Sequence, residues 1–409
     1  MKKQLKILVL TSTFPKGPND KVPSFVQDQI ITMKKEYNFL NFFVLAPDNS
    51  SKERPDKNRY YIEFRYQYFI KYFQKLNENG LMSAVRGNYL NLIILPFYLI
   101  LQLLFTLKLA LKLKPDYIYA HFVTPQAITA LLVSKLLKIE FVFSTHAHDA
   151  MILLKIPIIG KLILNLIVKN AKSFSSDTKV IEDKLKDSIK EKYWSENKSF
   201  ISPMGINFNK FESADEEYLD QINNNQITIS FIGRFAEKKG VEKLILSFAE
   251  IIKTNPDVQL LIIGVGSLQK KYERLIMKNG LMNKAKIINI FNDIPKLKYV
   301  YGNSQIIVIP SIIKKNGDME GIPVVLLEAL SFGNIVVASD DSNAGVVIKD
   351  GVNGFIYSNS KKDALEKTIL KVINISEKEK NSIAKKALET SNNYSWGKLS
   401  KLYFTKFFD

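Results

Sequence analysis

Two carboxylates, Glu320 and Glu328, stand eight residues apart in the run M-E-G-I-P-V-V-L-L-E-A, and about eighty residues upstream lies G-R-F-A-E-K-K-G, residues 233 to 240. The upstream run sets two cations, Arg234 and Lys239, on a short loop bounded by Gly233 and Gly240. The downstream run sets one carboxylate just before a helix and the second inside it. Fixed cations hold phosphate oxygens, and carboxylates hold sugar hydroxyls. A diphosphate between two hydroxyl-rich ends, as in a nucleotide-diphosphate sugar, would use that set.

Taken singly, each part has an ordinary alternative. The basic turn reads equally as a solvated loop, and two glutamates at this spacing recur by chance. Their context adds weight. Gly321 permits close backbone approach, Pro323 suits a helix start, and the helix Val324–Leu330 offers free N–H groups and a positive dipole end to a phosphate. Gly321, Ile322 and Pro323 thus form the approach to a donor, with Glu328 about a turn inside for ribose hydroxyls and Glu320 facing the sugar. Gly264-Val265-Gly266 follows a further strand. It suits a nucleotide or a tight turn, and it is not the full G-x-G-x-x-G fingerprint.

The chain has three histidines, His121, His146 and His148, and all follow strand-like runs. His146-Ala147-His148-Asp149 makes a poor metal site, because one other histidine and no cysteine exist to complete it. As a hydrogen-bonding or acid/base element it is sound, with Asp149 orienting an imidazole. His121, His148 and Asp149 are the acceptor-side candidates. No metal and no organic cofactor is expected.

These residues need elements to carry them. Short, apolar, β-branched runs alternate with helical ones: Lys6–Thr11, Asn41–Ala46, Tyr117–His121, Glu140–Ser144, Ser173–Ser176 and Phe200–Pro203 in the first half. The second half continues with Ile227–Ile232, Gln259–Ile263, Lys286–Ile290, Ile306–Ile309, Ile335–Ala338 and Gly354–Tyr357. Such runs read as buried parallel strands. The clearest helix between them carries Val241, Leu244, Ile245, Phe248, Ile251 and Ile252, ended by Pro256. The alternation predicts an α/β protein of two doubly wound, Rossmann-like halves. The polar stretch Asp215–Asn225 ahead of a fresh strand marks the divide, giving domains 1–202 and 203–390 and a closing segment 391–409. Ligands on such sheets bind outside the carboxyl ends of the strands, which is where Arg234, Gly264, Gly266, Ser311 and the histidines fall.

With 409 residues, 46% hydrophobic and 24% charged, the chain is globular and long enough for two domains. Without cysteine it is no disulfide-stapled scaffold. The net charge of +18 fits either an anionic partner or a general lysine bias. Ile7–Leu10, after Met-Lys-Lys, is too short for a signal-peptide core and reads as a first strand. The run Leu92–Leu107 spans ~24 Å as a helix, short of a ~30 Å hydrocarbon core, and a crossing there would separate residues 1–90 from the next strand. It is expected to be a buried or interfacial helix. Eight of the fifteen residues 59–73 are aromatic, interleaved with Arg59, Arg65 and Lys71. Nucleic-acid stacking, an interfacial belt, and inward packing of a strand and helix all remain open. Met151–Val168, with a helix starting at Pro157, is apolar on most sides and calls for burial or a bilayer surface.

Taken together, the chain resembles glycosyltransferases of family 4, which have the GT-B fold. The motifs are G-R-x(4)-K-G as Gly233, Arg234, Lys239 and Gly240; G-x-G-x-L at 264–268; and E-x(7)-E as Glu320 and Glu328. The trailing E-A-L-x-x-G-x-x-V-V-A-S (328–339) and D-G-x-N-G-F (350–355) agree, and P-D-x-I-x-A-H-F (115–122), T-H-A-H-D (145–149) and P-M-G-I-N (203–207) agree more loosely. The resemblance implies two domains facing across a cleft, with a closing helix crossing back to the first. It also implies a retaining, metal-free hexosyltransferase in which Arg234 and Lys239 bind the donor diphosphate, Glu320 the donor sugar and Glu328 the ribose, with His146 near the transferred sugar. Three departures stand out. Ile335 stands where the family often has Pro, Asn343-Ala344-Gly345-Val346 lacks the family's carboxylate, and the loop Pro15–Pro23 has one glycine where many members have a pair.

The expectation is therefore a transferase moving a sugar from a nucleotide sugar to a glycan or lipid-linked acceptor in surface-polysaccharide synthesis. It would be cytoplasmic, held at the inner face of an anionic membrane, with no nucleic-acid partner. A nucleotide-sugar 2-epimerase on the same fold and a non-catalytic basic binding protein are the competing readings.

Overall fold

The structure is a computed structural model that describes every residue except 1, 2, 18, 19, 21, 50–58, 75, 77–89, 147, 148, 157, 224, 291, 292 and 315–319. His148 and Pro157, named above, lie outside the described residues. The chain divides into two units: Met1–Pro203 with Trp396–Asp409, and Met204–Ser395.

In the first unit seven strands form one sheet: β1 (Leu5–Leu10), β2 (Leu40–Pro47), β3 (Tyr61–Tyr66), β4 (Tyr117–His121), β5 (Glu140–Thr145), β6 (Phe174–Ser176) and β7 (Ser199–Ile201). Their order is β3-β2-β1-β4-β5-β6-β7, and every pairing is parallel. Strands such as Ile7–Leu10 and Phe141–Phe143 are buried on both faces because helices cover both sides. The order reverses between β1 and β4, so the sheet's topological switch lies there.

The strand β3 falls in the aromatic run, where inward packing of a strand and helix is one of three open readings. Tyr61, Tyr66 and Tyr68 are buried, and the Arg65 guanidinium donates to the carbonyls of Phe14 (2.8 Å) and Pro47 (3.0 Å). Those three rings are core, which favours inward packing, while Tyr72 stays exposed.

The helix Leu90–Leu113 lies along this unit with Ile94, Tyr98, Gln102, Thr106 and Ala110 turned inward. Gln102 is pinned: it donates to Thr129 Oγ1 (3.0 Å) and accepts from the Tyr66 hydroxyl (3.2 Å). The final helix, Trp396–Phe407, packs against helix Phe25–Glu36 with Trp396, Leu399, Tyr403 and Phe407 buried. Each such side chain stabilises the unit by roughly 1.5–3 kcal/mol.

The second unit holds β8 (Ile227–Ile232), β9 (Val258–Ile263), β10 (Ala285–Ile288), β11 (Ile306–Ile309), β12 (Ile335–Ser339) and β13 (Phe355–Tyr357). The order β10-β9-β8-β11-β12-β13 is again parallel throughout, with its switch between β8 and β11. Helix Val241–Thr254 buries Val241, Leu244, Ile245, Phe248 and Ile251 on this sheet. Both units are thus Rossmann-like and doubly wound.

Candidate active site

In the second unit the chain leaves β8 at Ile232 and enters the loop carrying Arg234 and Lys239. That loop is stitched to the turn after β9: Gly233 N–H donates to Ile263 O and Phe235 N–H to Val265 O, both at 2.9 Å. The stitching requires glycine. Gly264 has φ +145°, and a Cβ there would fall 1.9 Å from Gly233 O; one on Gly266 would fall 2.5 Å from Phe235 O. What approaches these two glycines closely is therefore the Gly233–Phe235 backbone, and their effect is to position Arg234's loop. Arg234 itself is exposed.

The loop closes in a tight turn, Glu237–Lys239, that docks on the segment after β11. Ile312 N–H donates to Lys238 O (2.9 Å), and Gly240, at φ +66°, sits where a Cβ would be 1.8 Å from Pro310 O. This docking carries Lys239 to Glu320. The Lys239 Nζ lies 2.6 Å from Glu320 Oε2, and Lys238 Nζ lies 4.0 Å from Oε1. Glu320 is only 8% exposed, so the pair works in a partly dry setting where charge attraction is strong. The Asn343 amide donates to Glu320 O at 2.5 Å. The stretch that lacks the family's carboxylate therefore fixes Glu320's backbone instead.

Past Glu320 the chain turns through Gly321 into helix Val324–Ser331, with Pro323 at its start and no side-chain cap. The positive end of the helix dipole lies at that turn. Ile322 is buried in the core, so its side chain has no ligand-facing role and only its backbone can serve one. Glu328 is held separately. It accepts from the Tyr301 hydroxyl (2.7 Å) and has Lys210 Nζ at 3.7 Å. Burial first, and the Glu328 carboxylate second, push the Tyr301 hydroxyl well above its ordinary pKa, so it stays a donor.

The first unit gathers a second cluster at the ends of β4, β5 and β6. His121 Nδ1 lies 3.3 Å from His146 Nε2, and His146 Nδ1 lies 3.2 Å from Asp177 Oδ1. The two imidazoles are parallel within 5° at 5.6 Å between centroids. Burial pushes the His146 pKa down, but Asp177 beside it, with Asp149, outweighs burial and holds the ring above its ordinary value. Burial and then neighbouring His146 push His121 well below its own. A charged His146 donating at both nitrogens, to Asp177 and to a neutral His121, satisfies both distances.

Asp149 does not orient the imidazole. Its carboxylate accepts from Thr145 Oγ1 (2.7 Å), His146 N–H (2.9 Å) and Val123 N–H, which ties the loops after β4 and β5 together. Asp177 is the orienting acid, and the sequence reading passed over it. The available signal was its place after β6 in S-S-D-T, a strand-end position like the histidines' own. Lys210, Tyr301 and Asn343 were likewise missed. Among the described residues no group of three or more His, Asp or Glu side chains converges as a metal site.

Residues 216–389 match the family model for glycosyl transferases group 1. Over 288 residues the chain is 25% identical to an uncharacterised glycosyltransferase of Methanocaldococcus jannaschii, covering 69% of this chain and 72% of that one. It is 28% identical over 172 residues to the amylovoran biosynthesis glycosyltransferase of Erwinia amylovora, covering 42% and 41%. Among solved structures, sucrose-phosphate synthase from Thermosynechococcus elongatus superposes with a TM-score of 0.71 at 15% identity over 98% of this chain and 99% of that one. The Anabaena protein HepE, in complex with UDP, superposes at 0.68 and 15% identity over 98% of each. The fold is GT-B.

Proposed function

Starting from a glycosyl transferases group 1 domain on a GT-B fold, we propose that this glycosyltransferase moves a hexose from a nucleotide-diphosphate sugar to an acceptor hydroxyl with retention of anomeric configuration. The observation that carries the reading is the Lys239–Glu320 pair. It straddles the β8/β11 switch of the second sheet, where open α/β sheets take ligands, beside the N-terminus of helix Val324–Ser331. The UDP bound by the structurally similar Anabaena protein supports a nucleotide sugar as donor.

In this reading the diphosphate takes Lys239 from Glu320, with Arg234 on the same loop as its second cation. Glu320, released, accepts sugar hydroxyls, and Glu328, held by Tyr301, accepts those of the ribose. The bond from the anomeric carbon to the phosphate oxygen breaks, and its electrons stay on the diphosphate, where the cations offset the growing charge. The acceptor hydroxyl forms the new bond on the same face and passes its proton to the departing phosphate.

The acceptor is a membrane-borne or lipid-linked glycan, and the product a surface polysaccharide. Support comes from the amylovoran-synthesising relative and from the basic, apolar helices of the first unit. The protein then acts at the cytoplasmic face of the membrane. The test is a panel of UDP-, GDP- and ADP-sugars, read by thermal stabilisation and by sugar release or transfer. One donor should stabilise the protein and turn over, and Arg234→Ala should cost roughly 10²–10³ in kcat/KM with the fold intact. Epimerised sugar in the absence of any transfer, or an unaffected Arg234→Ala, would refute it.

A further inference from the structure

Three neighbouring helices of the first unit share an unusual outer surface: Leu90–Leu113, Ile128–Leu137 and Ile159–Asn170. The middle one packs against both others, so the three form one layer over the sheet. Their inner sides are core. Their outer sides are also apolar: Ile93, Phe97 and Ile100 on the first, Leu136 on the second, Ile159 and Leu162 on the third, each about half exposed or more. An exposed apolar surface spread over three helices marks an interaction site.

The charges on this layer all have one sign. Its 46 residues contain no Asp or Glu, although the chain's 40 in 409 would place about four or five there. Lys108, Lys112, Lys135, Lys161 and Lys169 are all present and all exposed. Apolar side chains flanked only by cations on flexible stems match hydrocarbon beneath a layer of anionic headgroups.

We propose that this layer is the docking surface for an anionic phospholipid bilayer, on which the first unit lies without crossing it. The proposal deepens the reading of a membrane-borne acceptor and rests on it. Helix Leu90–Leu113 is apolar enough to span, with mean hydropathy 2.1 over an 18-residue window within Asn91–Leu113. Its inner side nevertheless belongs to the core through Ile94, Tyr98 and the Gln102 hydrogen bonds to Thr129 and Tyr66. Crossing would tear those contacts out. Lying flat keeps them and covers only the outer side.

Flotation with vesicles of phosphatidylcholine alone, and of phosphatidylcholine with about a third phosphatidylglycerol, tests this. The full chain is expected to float with the anionic vesicles at low salt, at least tenfold better than with the neutral ones. Leu136→Glu with Leu162→Glu, both at exposed positions, should cut that binding about tenfold or more while leaving the thermal midpoint and vesicle-free donor turnover unchanged. Lys135→Glu with Lys161→Glu should do the same and flatten the salt dependence. Wild type that stays off anionic vesicles, or glutamate variants that float as well as wild type, would overturn the proposal. So would a concentration-dependent dimer, seen by sedimentation, that the variants abolish while vesicles are ignored, since the occupant would then be a second copy. Vesicle binding without turnover of any nucleotide sugar would sink the enzymatic reading alone, and turnover without vesicle binding would sink this one alone.

Discussion

Removing Lys239 tests whether its contact with Glu320 is a buried ion pair awaiting a phosphate. Lys239→Ala leaves a carboxylate that is 8% exposed with, among the described residues, Lys238 as its remaining ion-pair partner, at 4.0 Å. Breaking a fully buried pair costs about 3–5 kcal/mol. The Lys239 side chain is 17% exposed and Lys238 compensates in part, so the expected loss is about 2 kcal/mol. For a unit near this size that lowers the melting midpoint by roughly 4–8 °C. Glu320→Gln added to the same variant removes the stranded charge and should return most of the midpoint. Transfer should behave differently. Losing a cation aimed at the leaving diphosphate costs roughly 10²–10³ in kcat/KM, and the second change cannot restore it. Differential scanning fluorimetry and donor turnover on the two single variants and the double complete the cycle. A midpoint that does not move in Lys239→Ala, or does not recover in the double, refutes the burial argument. Turnover within threefold of wild type refutes the phosphate role.

Two further outcomes follow from the geometry. In Asp177→Asn burial still lowers the His146 pKa and Asp149 alone is left to raise it, so the pKa should fall from its raised value. A raised histidine stabilises fully below pH 6.5 and loses that contribution as pH rises through its folded value. The melting gap between wild type and variant should therefore be widest near pH 6 and narrow toward pH 9, and a gap independent of pH would reject the pairing. Gly266→Ala would press a Cβ to 2.5 Å from Phe235 O, forcing the Arg234 loop off its turn at a cost of about 1–3 kcal/mol and a raised KM for donor. Gly345→Ala, whose Cβ would meet nothing within 4 Å, is the control, and equal effects from both would contradict the stitching.

What could be read from the residues, and what could not, follows from how locally each feature is encoded. Strands buried on both faces announce themselves as apolar runs, and β8, β9, β11 and β12 needed nothing else. β3 did not, because Glu63 and Arg65 interrupt it and only Tyr61 and Tyr66 are buried within it. Its assignment depends on pairing with β2, a contact between segments. β10 and β7 ended earlier than their apolar runs because strand length is set by the neighbour's extent. Asp177 is one acid among 40, marked in sequence by nothing more than its strand-end place in S-S-D-T. Only the adjacency of β5 and β6 brings it to His146. The glycines after β9 were visible as a motif, while the body that approaches them was not, since backbone meeting backbone leaves no side-chain pattern.

The two ion pairs share a logic that neither shows alone. Lys239 comes from the loop after β8 and Glu320 from the chain after β11, strands that are neighbours at a switch point. His146 follows β5 and Asp177 follows β6, again neighbours, with His121 at the end of β4, one of the two strands that flank the first sheet's switch. At such a place helices leave on opposite sides of the sheet and the strand ends stay uncovered, so polar groups there are buried enough to interact strongly yet open on one side. Before a ligand arrives, each charge needs a protein partner or its burial would be too costly. A carboxylate partner for Lys239 is one that a diphosphate can displace, because the incoming group carries more negative charge to the same Nζ. In the proposed reading the ion pair does for the empty protein what the donor would do for the loaded one: it keeps the cation paired and oriented. It follows that donor affinity in Glu320→Gln should rise, since the phosphate no longer competes with a carboxylate for Lys239, while turnover falls because the sugar has lost its charged acceptor. A fall in donor affinity, measured by calorimetry, would show instead that Glu320 holds the sugar more strongly than it holds Lys239.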